Sequence, residues 1–261
     1  MEIRNLSFKY GSQFVLQSIS ADIAQGKITT ILGPNGCGKS TLLHLMTKNL
    51  KPLSGGVYLQ GKNIKDIRLK DFSKKAAIVH QCNTAPQDIK VKTLVAYGRV
   101  PYLSLYKKNS EEDEEIVEWA MKITNIYQMK DKEVGTLSGG QRQRVFIAMA
   151  LAQKTKILFL DEPTTYLDVG YQVQILNLIQ NLNKTLGMTI VMILHDINQA
   201  IHYSDQMIGL KEGHIVAQGN TETIINGQTL YDLFDINLKV LKEKDRSYVL
   251  PISEGSELLY R

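Results

Sequence analysis

Eight consecutive residues, Gly33-Pro34-Asn35-Gly36-Cys37-Gly38-Lys39-Ser40, have the types and spacing of a phosphate-cradling loop. Glycines let the backbone curl until its N–H groups face one polyanion. A helix that begins at the end of such a loop aims its positive end at the same point. Lys39 then supplies a point charge for the β- and γ-phosphates of a nucleotide, and the Ser40 hydroxyl is placed to ligate Mg²⁺. A second string, Leu137-Ser138-Gly139-Gly140-Gln141, precedes a helical pattern carrying Val145, Ala148, Met149 and Ala152. Ser138 with Gln141 three residues later is a capping box. Gly139 and Gly140 leave that helix end bare of side chains, which makes a second anion-binding terminus in the same chain. Third, the apolar run Ile157–Leu160 ends in two carboxylates, Asp161 and Glu162. Open α/β sheets bind ligands at the carboxyl ends of their strands. There Asp161 can hold Mg²⁺, directly or through water, and Glu162 can polarise an attacking water as general base.

The elements that must position these groups are legible as hydrophobic patterns. Ile28–Leu32 is apolar and β-branched, the pattern of a buried strand, and residues 40–49 carry Leu42, Leu45, Met46 and Asn49 at helical spacing. The loop therefore joins a strand to a helix. Upstream, residues 1–6 and 14–23 alternate as strands, with a turn at Tyr10-Gly11-Ser12. Gly55-Gly56 followed by Val57-Tyr58-Leu59-Gln60-Gly61-Lys62 suggests a hairpin, and residues 76–80 form another short strand. Residues 82–155 are mainly helical and sit as an insertion between strands. Within them Ser110, followed by Glu111, Glu112 and Asp113, starts a capped helix that places Ile116, Ala120 and Ile123 on one face, with Val117 and Met121 beside it. A helix marked by Val173, Leu176, Ile179 and Leu182 or Asn183 separates Ile157–Leu160 from a buried strand at 190–194. Gln206–Lys211 and residues 214–218 form a hairpin turning at Glu212-Gly213. Helical pieces at 221–225 and 230–234 and a terminal hairpin around Val240 and Val249 complete the chain. Strands alternating with helices predict an α/β fold with a mostly parallel sheet.

Composition narrows the function classes. The 261 residues carry 31 Lys+Arg against 26 Asp+Glu, a net charge of +5, with 43% hydrophobic residues. That excludes a disordered chain. The mild positive charge suits an anionic ligand, but no dense basic run points to nucleic acid. Two cysteines, Cys37 and Cys82, cannot build a disulfide framework. No apolar run approaches the roughly 18 residues of a membrane span, and residues 1–6 are not an apolar signal region. The expectation is a soluble cytoplasmic protein that docks on a membrane through a partner.

Residues 33–41, 137–141 and 157–162, in this order, resemble the motifs of the ATP-binding subunit of an ABC transporter, and the likeness covers about residues 1–245. The resemblance implies a P-loop NTPase core with a mostly parallel sheet, an antiparallel β subdomain and an inserted helical subdomain. It divides the chain into an ABC ATPase domain at 1–219, with the helical insertion at about 82–155, and a short extension of the same domain at 220–261. ATP and Mg²⁺ are the implied ligands. Nucleotide contacts fall on Gly33, Pro34, Asn35, Gly36, Cys37, Gly38, Lys39, Ser40 and Thr41, with Tyr10 as the aromatic that stacks on adenine. Gln81 resembles the glutamine that reaches Mg²⁺ and the attacking water, so Ser40, Gln81 and Asp161 form the implied metal set. His195 matches the histidine that hydrogen-bonds the γ-phosphate, and joins Lys39, Gln81 and Glu162 in the implied catalytic set. Asp168, in Thr165-Tyr166-Leu167-Asp168, matches the loop at the dimer interface, although Tyr166 replaces the small residue commonest there.

The same resemblance implies a head-to-tail homodimer, in which Ser138, Gly139, Gly140 and Gln141 of one copy close on the γ-phosphate held by Lys39 of the other. It implies a membrane permease dimer and an extracytoplasmic substrate-binding protein as partners, and a peripheral position at the cytoplasmic face of the membrane. Three stretches, Leu94-Val95-Ala96-Tyr97-Gly98-Arg99-Val100-Pro101, the loop with Tyr166, and His195-Asp196-Ile197-Asn198-Gln199-Ala200 with Tyr203-Ser204-Asp205, are similar to ATPases of importers for iron-siderophore, haem and cobalamin chelates. An iron-siderophore leads these alternatives. A soluble ABC ATPase without a permease and a phosphate-loop kinase are the rival classes. The kinase has no use for residues 137–141, and no coiled-coil insertion or second cassette marks the DNA-repair or translation-factor members of the soluble branch, which leaves iron–sulfur assembly members as its open alternative.

Overall fold

A computed structural model describes residues 1–103, 111–243 and 246–253. In chain order the elements are β1 Glu2–Tyr10, β2 Gln13–Asp22, β3 Ile28–Leu32, α1 Lys39–Met46, β4 Ser54–Leu59 and β5 Lys62–Asn63. Next come α2 Leu69–Phe72, β6 Ala76–Val79, α3 Val91–Ala96, α4 Glu111–Ile123, α5 Gly139–Ala152, β7 Ile157–Leu160, α6 Val169–Leu186 and β8 Thr189–Ile193. Then follow α7 Ile197–Tyr203, β9 Gln206–Lys211, β10 His214–Asn220, α8 Thr221–Ile224, α9 Gly227–Phe234, β11 Leu238–Glu243 and β12 Arg246–Ser253. The chain forms two compact units, Met1–Asp66 with Val191–Arg261, and Ile67–Ile190.

In the first unit an antiparallel sheet has the strand order β2-β1-β4-β5. Ile3, Leu6 and Phe8 of β1 and Leu16 and Ile19 of β2 turn inward. The hairpin expected over residues 55–62 is present as β4 and β5, with Gly55 and Gly56 inside β4 and the reversal at Gln60-Gly61. Crowding requires glycine inside β4, because a Cβ on Gly55 would lie 2.1 Å from the Asn5 carbonyl oxygen on the neighbouring strand. The second sheet of this unit runs β10-β9-β3, followed by residues 191–193 of β8. β9 is parallel to β3, and every residue of β3 is buried. A strand buried on both faces carries no alternation, which is why Ile28–Leu32 reads as a continuous apolar run. Asp205 fixes the start of β3 by accepting the Ile28 N–H at 2.8 Å.

In the second unit β6 and β7 pair in parallel, and the Thr189 N–H at the start of β8 donates to the Lys156 carbonyl at 2.9 Å. Helices α3, α4 and α5 pack on one another. The buried stripe of α4 is Val117, Ala120 and Met121, so the inward face is rotated from the one expected on Ile116 and Ile123, which are half-buried. Similarly α6 buries Ile175, Leu176, Leu178, Ile179 and Leu182, while Val173 is exposed. The expected Ser110 cap lies outside the described residues. Arg99 is buried where the segment after α3 meets the last turn of α5. Its Nε donates to Asp113 Oδ1 at 2.7 Å, its Nη1 donates to the Ala152 carbonyl at 2.8 Å, and its guanidinium lies 4.0 Å from the Tyr102 ring centroid. No described helix is long and apolar enough to cross a membrane.

Candidate functional site

The loop after β3 is shaped by close approach. A Cβ on Gly33 would fall 2.0 Å from the Leu210 carbonyl oxygen, so glycine alone lets the chain leave the strand beside β9. Gly38 is the N-cap of α1, and Lys39 is its first residue. Lys39 is only 6% exposed, and its Nζ donates to the carbonyls of Gly33 at 2.9 Å and Pro34 at 2.8 Å. Both acceptors are neutral, so they solvate the ammonium without cancelling its charge. A buried cation beside a helix N-terminus is a place for a polyanion. Asn35 and Gly36 form the exposed lip of the loop, with open space where a Gly36 side chain would point. Ser40 and Thr41, half-buried, follow on the first turn of α1.

Two features of this loop escaped the sequence reading. Burial pushes the Cys37 thiol above its ordinary pKa, against the opposing pull of the Lys39 charge. The Cys37 carbonyl accepts the Gly213 N–H at 3.2 Å, and the Gly213 carbonyl in turn accepts the Gln17 N–H at 2.9 Å. Gly213 is thus more than the hairpin turn it reads as, because it ties the phosphate loop to β2. No local signal could reveal this, since the partners are far apart in sequence. Tyr10, 54% exposed at the end of β1, stands edge-on to Phe8 with ring centroids 4.8 Å apart. His195 is exposed and lies directly between β8 and α7.

The second unit gathers the carboxylates. The parallel pairing of β6 with β7 brings their carboxyl ends to one edge, so Gln81 and Glu162 meet although far apart in sequence. Asp161 is 5% exposed, and its N–H donates to the Val79 carbonyl at 2.9 Å. Glu162 has φ 50°, a left-handed conformation that costs a non-glycine residue about 1–3 kcal/mol. Its Oε2 accepts from Gln81 Nε2 at 2.6 Å and from Thr165 Oγ1 at 3.0 Å. The carboxylate is therefore held from two sides. Asp161 and Ser40 offer hard oxygen donors, the chemistry that suits Mg²⁺. Among the described residues no group of three or more His, Cys, Asp or Glu forms a metal cage.

The capping box at α5 has both of its bonds. The Gln141 N–H donates to Ser138 Oγ at 3.3 Å, and the Ser138 N–H donates to Gln141 Oε1 at 3.0 Å. Ser138 and Gly139 are exposed at this terminus, and Gly140 is buried behind them. Asp168 caps α6, where its Oδ1 accepts the Tyr171 N–H at 3.0 Å. Tyr166, just before it, is 87% exposed with φ 64°.

Comparison with known proteins places this geometry. Residues 16–165 match the ABC transporter family. The iron(3+)-hydroxamate import ATP-binding protein FhuC of Bacillus subtilis is 42% identical over 243 residues, covering 93% of this chain and 90% of the relative. The ferric enterobactin transport ATP-binding protein FepC of Escherichia coli is 42% identical over 238 residues, covering 91% and 88%. Among solved structures, an inward-facing ABC transporter assigned to the metal-chelate type superposes with TM-score 0.83 at 29% identity, over 96% of both chains. The dimeric, post-hydrolysis ATP-binding cassette MJ0796, bound to ADP and Pi, gives TM-score 0.72 at 28% identity, over 84% of this chain and 98% of the other. With a phosphate loop, a capped glycine helix end and a carboxylate at a strand end in the family's order, the chain belongs to the ABC transporter family, as an ATP-binding subunit that hydrolyses ATP.

Proposed function

We propose that this chain energises an ABC importer of an iron-siderophore, ferrichrome-like or a related metal chelate, from the cytoplasmic face of the membrane. The observation that carries the reading is the identity of 42% with an iron(3+)-hydroxamate import and a ferric enterobactin transport ATP-binding protein, across 93% and 91% of the chain. The site residues supply a consistent chemistry. Lys39 and the α1 terminus bind the β- and γ-phosphates, and Tyr10 stacks on adenine. Glu162, oriented by Gln81 and Thr165, takes the proton of the attacking water. His195 donates to the γ-phosphate. Ser40, Asp161 and Gln81 would hold Mg²⁺, which would supply charge neutralisation for the phosphate oxygens.

Two copies work as a head-to-tail dimer beneath a permease dimer, and an extracytoplasmic substrate-binding protein delivers the chelate. One helix N-terminus cannot surround a polyphosphate, whereas α1 of one copy and α5 of the other can close on it from two sides. Asp168 then lies on the facing loop. The test is capture of the tagged chain from gently solubilised membranes of its host. A polytopic permease with a binding protein that takes ferric hydroxamates is the expected result. Recovery with soluble partners alone would reject the importer reading. A binding protein that takes haem or cobalamin instead would keep the importer and change its cargo.

A further inference from the structure

The terminal hairpin β11–β12 is fastened to α7 by one side chain. Asn198 Nδ2 donates to the Val249 carbonyl at 2.9 Å, and the Val249 N–H donates to Asn198 Oδ1 at 2.8 Å. Val249 stands opposite Val240 in the hairpin register. Its polar groups both go to Asn198, so Val249 occupies a non-hydrogen-bonded position of the β11–β12 ladder, with N–H and C=O turned outward. The Asn198 amide has one donor and one acceptor side by side, and it pairs with that edge as a third strand would. One helical turn later, His202 packs on Tyr248 with ring centroids 4.9 Å apart. Asn198 and His202 are four residues apart on α7, hence on one face. Val249 and Ser247, on the other face of β12, are buried.

His195 precedes α7 by a single residue, Asp196, whose Oδ1 caps the helix by accepting the Gln199 N–H at 2.8 Å. On its other side, β8 is tied to β3 by the Leu194 N–H donating to the Ile31 carbonyl at 3.5 Å. His195 is thus suspended between a strand and a helix of seven residues. A helix so short has little stability of its own, and tertiary contacts fix where it sits. We propose that Asn198 is a positioning residue for His195, and that the docked hairpin holds α7 so that the His195 imidazole is presented to the nucleotide. This rests on the reading of His195 as the γ-phosphate partner.

The test is a double-mutant cycle on ATP hydrolysis by the full-length chain, joined to hydrogen exchange of residues 195–203. Asn198→Ala lowers kcat about ten- to a hundredfold with KM for ATP unchanged, since misplacement of a catalytic group by about 1 Å has that effect. Combined with His195→Ala it causes no further loss, because a residue that acts through His195 has nothing left to position. Val249→Pro removes the same N–H from the hairpin side, spares the ladder to β11, and reproduces the pattern. Amides of α7 exchange faster in both variants. Losses that multiply in the double mutant mean a structural role only, and overturn the proposal. So does wild-type turnover or unchanged exchange in Asn198→Ala. Wild-type turnover in His195→Ala rejects the reading of His195 itself; faster exchange at residues 195–203 then still reports whether the hairpin holds the segment.

Discussion

Glu162 is the residue at which chemistry and conformation meet. It sits in a left-handed backbone conformation with one carboxylate oxygen already engaged by Gln81 and Thr165. A strained residue persists only where its surroundings over-determine it, and here the same surroundings aim the carboxylate. Glu162→Gln keeps the shape and removes the proton acceptor. Its turnover falls by about 10²–10⁴-fold, the contribution of a positioned general base, while ATP still binds. Rapid-quench hydrolysis and nucleotide binding on the same sample check both halves. The two cysteines differ by environment in the same way. Cys82 is exposed, whereas Cys37 is buried and its thiol is pushed up. A raised pKa lowers the thiolate fraction at neutral pH, so a maleimide probe labels Cys82 and spares Cys37. Labelling of Cys37 begins only at alkaline pH or on unfolding, which peptide mass spectrometry resolves. Much of the site was legible because motif chemistry is local: the loop, the capping box and the paired carboxylates each occupy one short stretch. The Gly213 brace and the Gln81–Glu162 bond were not legible, because each needs strands to bring distant residues together.

At the scale of elements, what the pattern left open concerns faces rather than existence. Periodicity gave the existence of α4 and α6 but not the rotation of their inward faces, since a stripe wider than one residue admits neighbouring choices. The hairpin at residues 55–62 was legible, but not that crowding by β1 is what requires glycine inside its first strand. Arg99 shows the opposite limit. Its side chain is 6% exposed and pairs with Asp113 at 13%, with the Ala152 carbonyl satisfying a second nitrogen. A guanidinium at the C-terminal end of α5 also meets the negative end of the helix dipole. Replacing such a pair by apolar residues can be neutral, but removing one partner strands a buried charge. Asp113→Ala therefore lowers the unfolding free energy by about 3–5 kcal/mol. Urea denaturation followed at Trp119 measures it. A cost under about 1 kcal/mol would place the pair among solvent-screened surface bridges instead.

For the whole molecule the decisive question is whether two copies close on ATP. The N-terminus of α5 offers an exposed Ser138 and Gly139 with the helix dipole behind them, and within a single copy the Lys39 loop has its own helix terminus. A substitution can separate the folding role of Ser138 from its role in association. Aspartate is as good an N-cap as serine, and a carboxylate at a helix N-terminus favours the helix. Ser138→Asp therefore keeps α5 folded but sets a negative charge where the proposed head-to-tail dimer brings the other copy's γ-phosphate. In the Glu162→Gln background, which retains ATP, light scattering shows a dimer with Mg-ATP and a monomer with ADP. Adding Ser138→Asp keeps the monomer folded and its ATP bound, and abolishes the dimer. The result is specific because like-charge repulsion acts only in the closed assembly, and it weakens as salt screens the exposed charge at about 0.15 M and above. A dimer that survives Ser138→Asp at low salt would mean that α5 does not face the nucleotide of the second copy, and the association would have to be built on another surface.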